Sequence, residues 1–151
     1  MILLDTDHLT VLKYTDSERY ARLHGRLLAA APQLIGTTIV NVEEQMRGWL
    51  SAIAKERTIL RQITAYRELT DLFEFFAKLN IISLSADAVD LFNSFRKSGI
   101  KSGTMDLKMA CIAVANNALF LTANRRDFEK VPGLRFENCL ALASWCARTG
   151  V

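Results

Sequence analysis

The chain opens on an apolar run, Met1-Ile2-Leu3-Leu4, that stops abruptly at Asp5-Thr6-Asp7. Apolar residues at consecutive positions suit a strand covered on both faces, since only there does neither side meet water. Asp5 and Asp7 then stand at the C-terminal end of that strand, the edge of an open parallel sheet where ligands bind. Asp7 is placed to cap a short helix through Lys13, and a second helix is expected from Ser17 to Ala31, closed by Pro32. Leu34 to Val40 reads as a second strand despite its Thr37-Thr38 pair, with a helix from near Asn41 that carries Glu43 and Glu44. From Ala52 to Leu79 the apolar residues Ile53, Ile59, Leu60, Ile63, Tyr66, Leu69, Leu72, Phe73 and Phe76 recur at three- and four-residue steps. That spacing predicts one long amphipathic helix, straight or kinked.

Asn80 ends this helix, and Ile81-Ile82-Ser83-Leu84 reads as a third strand. Ser85 is placed to cap a helix whose inner face is Ala88, Leu91, Phe92 and Phe95. A loop from Lys97 to Gly103 follows, and Thr104 stands where it can cap the next helix, with Asp106 in the first turn. From Leu107 to Ala115 that helix is apolar almost all round, so it is expected to lie buried against the sheet. Ala118 to Thr122 reads as a fourth strand, Asn124 to Asp127 as a polar turn and the segment around Leu134-Arg135-Phe136 as a fifth strand, before a last helix through Trp145. Strands alternating with helices predict a three-layer α/β/α sandwich with a parallel central sheet, in a single domain spanning residues 1–151.

Composition narrows the class only a little. Half of the 151 residues are hydrophobic, which argues against disorder, and the net charge of +3 tolerates a polyanion without announcing one. No apolar run approaches the roughly 18 residues of a membrane span, and the N-terminus lacks the pattern of a signal peptide. The expectation is a cytoplasmic protein with no membrane partner. Cys111, Cys139 and Cys146 are widely spaced and lack the close pairing of a zinc site, so they are read as buried free thiols.

Four acids change the picture. Asp5 ends the first strand, Glu44 lies in the helix after the second, Asp106 opens a buried helix and Asp127 follows the fourth strand. In a parallel sheet all four can face the same edge. Carboxylates pressed together repel unless a cation intervenes, and an all-oxygen donor set suits Mg²⁺ or Mn²⁺ better than zinc. Such an ion polarises a phosphate oxygen and activates a water for in-line attack. Taken singly, each acid has a plainer role: Asp5 and Asp7 as helix caps, Asp106 as a partner for a helix dipole, Glu43 and Glu44 as a solvated face, Asp127 as a surface turn.

The motifs in order carry a resemblance. Asp5-Thr6-Asp7 after an apolar strand, Thr38 through Glu43-Glu44 to Gly48, Asp106-Leu107 with Ile112-Ala113, and Leu121-Thr122-Ala123-Asn124-Arg125-Arg126-Asp127-Phe128 followed by Val131-Pro132-Gly133-Leu134 together resemble the PIN-domain ribonucleases. The likeness is nearest to the VapC-like toxins of bacterial toxin-antitoxin pairs. It implies a Mg²⁺- or Mn²⁺-dependent endoribonuclease whose metal is held by Asp5, Glu44 and Asp106, with Asn124 or Asp127 completing the site. Glu44 rather than Glu43 matches the family position because Gly48 lies four residues beyond it. The resemblance further implies supporting hydrogen bonds from Thr6, Asp7 and Thr122, and an antitoxin protein as partner.

Lys97, Lys101, Lys108, Arg125 and Arg126 flank the proposed edge and are candidates for RNA phosphate contacts, each also explicable as an ordinary solvated charge. The Ala52–Leu79 segment carries more apolar residues than one face of a small domain needs, so part of it is expected to line an antitoxin groove or a homodimer contact. A processing nuclease without a toxin role and a non-catalytic interaction module of the same fold stay open. A haloacid-dehalogenase-like phosphatase also begins with Asp-x-Asp, but it wants Thr or Val two residues further on, where Leu9 stands.

Overall fold

A computed structural model describes residues 1–141. The last helix expected through Trp145, and Cys146, lie outside the described residues. Five short strands form one sheet: β1 (Ile2–Leu4), β2 (Ile35–Thr38), β3 (Asn80–Ile82), β4 (Leu119–Leu121) and β5 (Arg135–Glu137), in the spatial order β3-β2-β1-β4-β5. Every pair is parallel, with Leu3 opposite Gly36 on one side and Phe120 on the other. The helices are α1 (Thr6–Lys13), α2 (Glu18–Ala29), α3 (Ile39–Lys55), α4 (Ile59–Phe76), α5 (Ala86–Lys97), α6 (Thr104–Ala115) and the single turn α7 (Arg125–Phe128).

Alternation along the strands divides the core into two halves. Leu3 and Phe120 point to one face and pack with Leu107, Met109, Ile112 and Phe128 beneath α5 and α6. Ile2, Leu4 and Leu121 point to the other and pack with Leu9, Leu23, Leu27, Leu72 and Phe76 from α1, α2 and α4. Both faces of the sheet are therefore covered, which is why β1 reads as uninterrupted apolar sequence. The three-layer parallel α/β/α architecture read from the pattern is borne out. No helix among the described residues is long and apolar enough to cross a membrane.

Several boundaries differ from the sequence reading, each for a local reason. The β2 strand ends at Thr38 rather than Val40, because the Thr38 hydroxyl accepts the Asn41 N–H and starts α3 at Ile39. The single helix expected from Ala52 to Leu79 is two: α3 ends at Lys55, and Thr58 caps a separate α4 by accepting from Arg61 N. Asp5, not Asp7, is the N-cap of α1, and Gly103, not Thr104, precedes α6. The second helix stops at Ala29, short of Ala31, and β3 runs from Asn80 to Ile82 rather than from Ile81 to Leu84. The polar turn after β4 closes into the helical turn α7.

Strand order fixes where chemistry can sit. The chain builds β1, β2 and β3 outward in one direction and then returns to the other side of β1 for β4 and β5. Between β1 and β4 the order reverses, and the helices that leave the two strands cover opposite faces, opening a crevice at their C-terminal ends. Asp5 and Thr122 are the residues immediately beyond those two ends.

Candidate active site

Asp5 is the fixed point of the crevice, only 8% exposed and held by three donors. Its Oδ1 accepts from Thr6 N at 2.7 Å and from Asn41 Nδ2 at 2.9 Å, and its Oδ2 accepts from the Thr122 hydroxyl at 2.7 Å. One carboxylate thus ties together β1, the start of α3 and the end of β4. Burial nevertheless raises its pKa, with the nearby Asp7 charge adding to the rise, and the three hydrogen bonds pull the other way.

The remaining acids gather around it. Glu44, on the second turn of α3, accepts from the Thr6 hydroxyl at 3.4 Å, and its pKa is raised by burial and then by the charges of Asp5 and Asp106. Asp106 is raised by burial and then by Asp127. Asp127 itself accepts from Asn124 Nδ2 at 2.8 Å. Asp5, Glu44, Asp106 and Asp127 are therefore brought to one sheet edge as a chain of like charges. None of the ion pairs among the described residues takes in any of the four. Repulsion of this kind, without a neighbouring base to relieve it, is what a bound cation relieves.

The residues fit a hard divalent ion in donor chemistry, offering carboxylate oxygens without thiolate or imidazole. No three of His, Cys, Asp or Glu among the described residues are already drawn into a cage.

Sequence reading missed the polar scaffold behind the acids. Fully buried Asn41 accepts from the Thr38 hydroxyl at 2.7 Å and donates to Asp5 and, at 3.2 Å, to the Thr6 hydroxyl, which in turn donates to Glu44. The buried Thr37 hydroxyl donates to Leu4 O at 2.8 Å, locking β2 to β1 beside the site. The one available signal was the Thr37-Thr38 pair inside an otherwise apolar strand. Arg96 was missed as well: its guanidinium donates to Ile100 O, Ser102 O and the Thr104 hydroxyl, shaping the loop that delivers Asp106. A Cβ at Gly103 in that loop would stand 2.7 Å from Asp106 Oδ2, so a larger residue there would push the carboxylate aside.

Asp7 faces sideways, accepting from Ala123 N and from His8. Thr122 both donates to Asp5 and accepts Asn124 N at 3.0 Å. Lys97 ends α5, Lys101 is exposed in the following loop, and Lys108 is half-buried on α6. Arg125 and Arg126 are exposed on α7, where Arg125 is engaged by Glu129 at 3.1 Å. Cys111 and Cys139 are both buried, and burial pushes the Cys111 thiol up to about 11.

No family model matches the chain. Over 68 residues, 42% of its length, it is 34% identical to ribonuclease VapC2 of Rickettsia felis, and it spans about half (51%) of that curated relative. Among solved structures it is similar to VapBC2 from Rickettsia felis bound to a DNA fragment from their promoter. That likeness has a TM-score of 0.66 and 24% identity, over 91% of this chain and 98% of the other. Against VapBC-1 from nontypeable Haemophilus influenzae the TM-score is 0.68 at 20% identity, over 93% of this chain and 100% of the other. The fold is the one shared with these VapBC structures. The likeness extends over nearly the whole of those solved chains.

Proposed function

We propose that this protein is a Mg²⁺- or Mn²⁺-dependent endoribonuclease acting as the toxin of a toxin-antitoxin pair in the cytoplasm. The observation that carries the reading is the convergence of Asp5, Glu44, Asp106 and Asp127 on the crevice between β1 and β4, each of the first three raised in pKa by burial and, next, by a neighbouring acid. The likeness to a ribonuclease and to VapBC complexes supports the choice of RNA and of an antitoxin.

Asp5, Glu44 and Asp106 would hold the ion, with Asp127 or Asn124 completing its surroundings. When bound, the ion supplies the positive charge that polarises a phosphate oxygen and lowers the pKa of a water. The chain's own part is orientation. Three donors fix the Asp5 carboxylate, Thr6 steers Glu44, and Asn124 steadies Asp127. An acidic crevice repels a phosphodiester until it is loaded, so cleavage is expected to need metal absolutely. Lys97 on α5, Lys101 in the loop before α6, Lys108 on α6 and Arg125 and Arg126 on α7 would supply salt-sensitive attraction for the RNA backbone.

An antitoxin segment fits the apolar pocket of about 280 Å³ lined by Val42, Met46, Leu72, Phe73, Phe76, Ala77 and Ile81. Ile59, Ile63 and Tyr66 stand exposed at i, i+4 and i+7 on α4 and form the surface for a homodimer. Cleavage of a mixed RNA pool tests the activity. Wild-type protein is expected to cut with Mg²⁺ or Mn²⁺, to stop in EDTA, and to lose activity as Asp106→Asn. Undiminished cutting by the variant, or in EDTA, would remove the acids from the reaction.

A further inference from the structure

Behind the acids runs a second line of hydrogen bonds centred on His8, which is fully buried on α1. The backbone N–H of Cys139 can only donate, and it meets His8 Nε2 at 3.3 Å. Nε2 is therefore the bare nitrogen of the neutral ring, Nδ1 carries the proton, and that proton is donated to Asp7 Oδ1 at 2.5 Å. The other Asp7 oxygen accepts Ala123 N at 2.6 Å. In one line, the segment after β5, the first turn of α1 and the turn after β4 are joined through two side chains.

What this line pins matters for the crevice. Ala123 stands between Thr122, whose hydroxyl holds Asp5, and Asn124, which holds Asp127. A shift of the Ala123 backbone moves both grips together. A rigid ring with a donor at one end and an acceptor at the other is needed, and histidine alone offers both in that form. An apolar side chain of similar volume would take the His8 acceptor from the Cys139 N–H and the His8 donor from Asp7.

We propose that His8 is a positioning residue: through Asp7 it fixes the turn at Ala123 and so sets Asp127 and Asn124 against Asp5, Glu44 and Asp106. It touches neither the acids that would hold the ion nor the substrate. The inference rests on reading the acid cluster as the metal-dependent nuclease site.

The test compares wild type, His8→Leu and His8→Asn by amide hydrogen exchange, Mn²⁺ titration and RNA cleavage. In His8→Leu the Ala123 and Cys139 amides are expected to exchange faster. Mn²⁺ affinity should fall by about 10- to 100-fold, as for other residues that orient ligands, and cleavage should be recovered largely by saturating Mn²⁺. His8→Asn keeps a donor near the Nδ1 position but loses the acceptor. It should restore Ala123 protection and Mn²⁺ affinity while Cys139 stays fast.

The proposal is overturned if His8→Leu keeps wild-type Ala123 protection and Mn²⁺ affinity, or if His8→Asn loses Mn²⁺ affinity with Ala123 still protected. Should His8→Leu fail to fold, His8→Asn alone decides by that second criterion. A wild type that binds Mn²⁺ but cuts no RNA would defeat the nuclease reading, and the amide and Mn²⁺ arms would still judge His8.

Discussion

Replacing Asn41 with leucine probes how far the buried scaffold, rather than the acids alone, holds this site. Leucine keeps the volume and removes three side-chain bonds: to Asp5 at 2.9 Å, to the Thr6 hydroxyl at 3.2 Å and from the Thr38 hydroxyl at 2.7 Å. The bond to the Asp5 carboxylate is worth about 1.5–3 kcal/mol and each neutral bond about 0.5–1.5 kcal/mol, with the residue fully buried. Allowing for partial relaxation, the expected loss is about 3 kcal/mol at pH 7 without metal, or very roughly 6–12 °C in Tm for a domain of this size.

The sign of the pH dependence is part of the same prediction. Asp5 already has a raised pKa, and losing a donor to its charged form raises it further. A raised folded-state pKa penalises folding when the group is ionised, and the penalty fades as pH falls through that pKa. Urea unfolding in EDTA should therefore give a smaller difference between wild type and Asn41→Leu near pH 4 than at pH 7. A difference under about 1 kcal/mol at pH 7, below one charge-assisted bond, or one independent of pH, would refute the scaffold argument.

Three further outcomes rest on the same site and its surroundings. Mg²⁺ should raise Tm at pH 7.5 and do so less as pH falls, because Asp5, Glu44 and Asp106 have raised pKa values and take up protons in place of metal; equal shifts at pH 5 and 7.5 by scanning calorimetry would contradict this. Gly103→Ala should cut the cleavage rate sharply with a much smaller loss of stability, since the new methyl displaces Asp106 Oδ2 rather than core; parallel rate and urea-midpoint measurements check it. Arg26 grips Glu137 with two bonds of 3.1 Å and holds its carboxyl below the usual range. That stability is present above the unfolded pKa of Glu137 and is lost as pH falls through the folded one, so Arg26→Met should cost about 1 kcal/mol at pH 7 for this partly solvated pair, and less near pH 3.

The framework was legible because burial on both faces leaves a plain mark. The run Ile2-Leu3-Leu4 and the all-round apolar helix after Asp106 could only be interior. Boundaries were harder where apolar sequence runs on through a change of element. Ile39 and Val40 extend the apolar pattern of β2 but already belong to α3, and the step from Ile53 to Leu60, close to two helical turns, passes across the break at Glu56–Thr58 in phase. Threonine caps at Thr38 and Thr58 made both breaks, and threonine is common enough inside strands and helices to carry little signal alone.

The acids were legible because ionisable residues after strand ends are conspicuous. Asn41, His8 and Arg96 were not. Each derives its role from partners far along the chain, Asp5 for Asn41 and Cys139 for His8, or from backbone carbonyls of a loop whose path the sequence does not state.

Four acids from separate elements are proposed to form one site for a hard divalent ion. A crystal of the wild-type protein soaked in Mn²⁺ and measured for anomalous scattering tests this most directly. The account predicts a peak in the crevice between β1 and β4, within ligating distance of carboxylate oxygens from Asp5 and Asp106, that vanishes in Asp106→Asn. A peak elsewhere, or none at a Mn²⁺ concentration that supports cleavage, would contradict it.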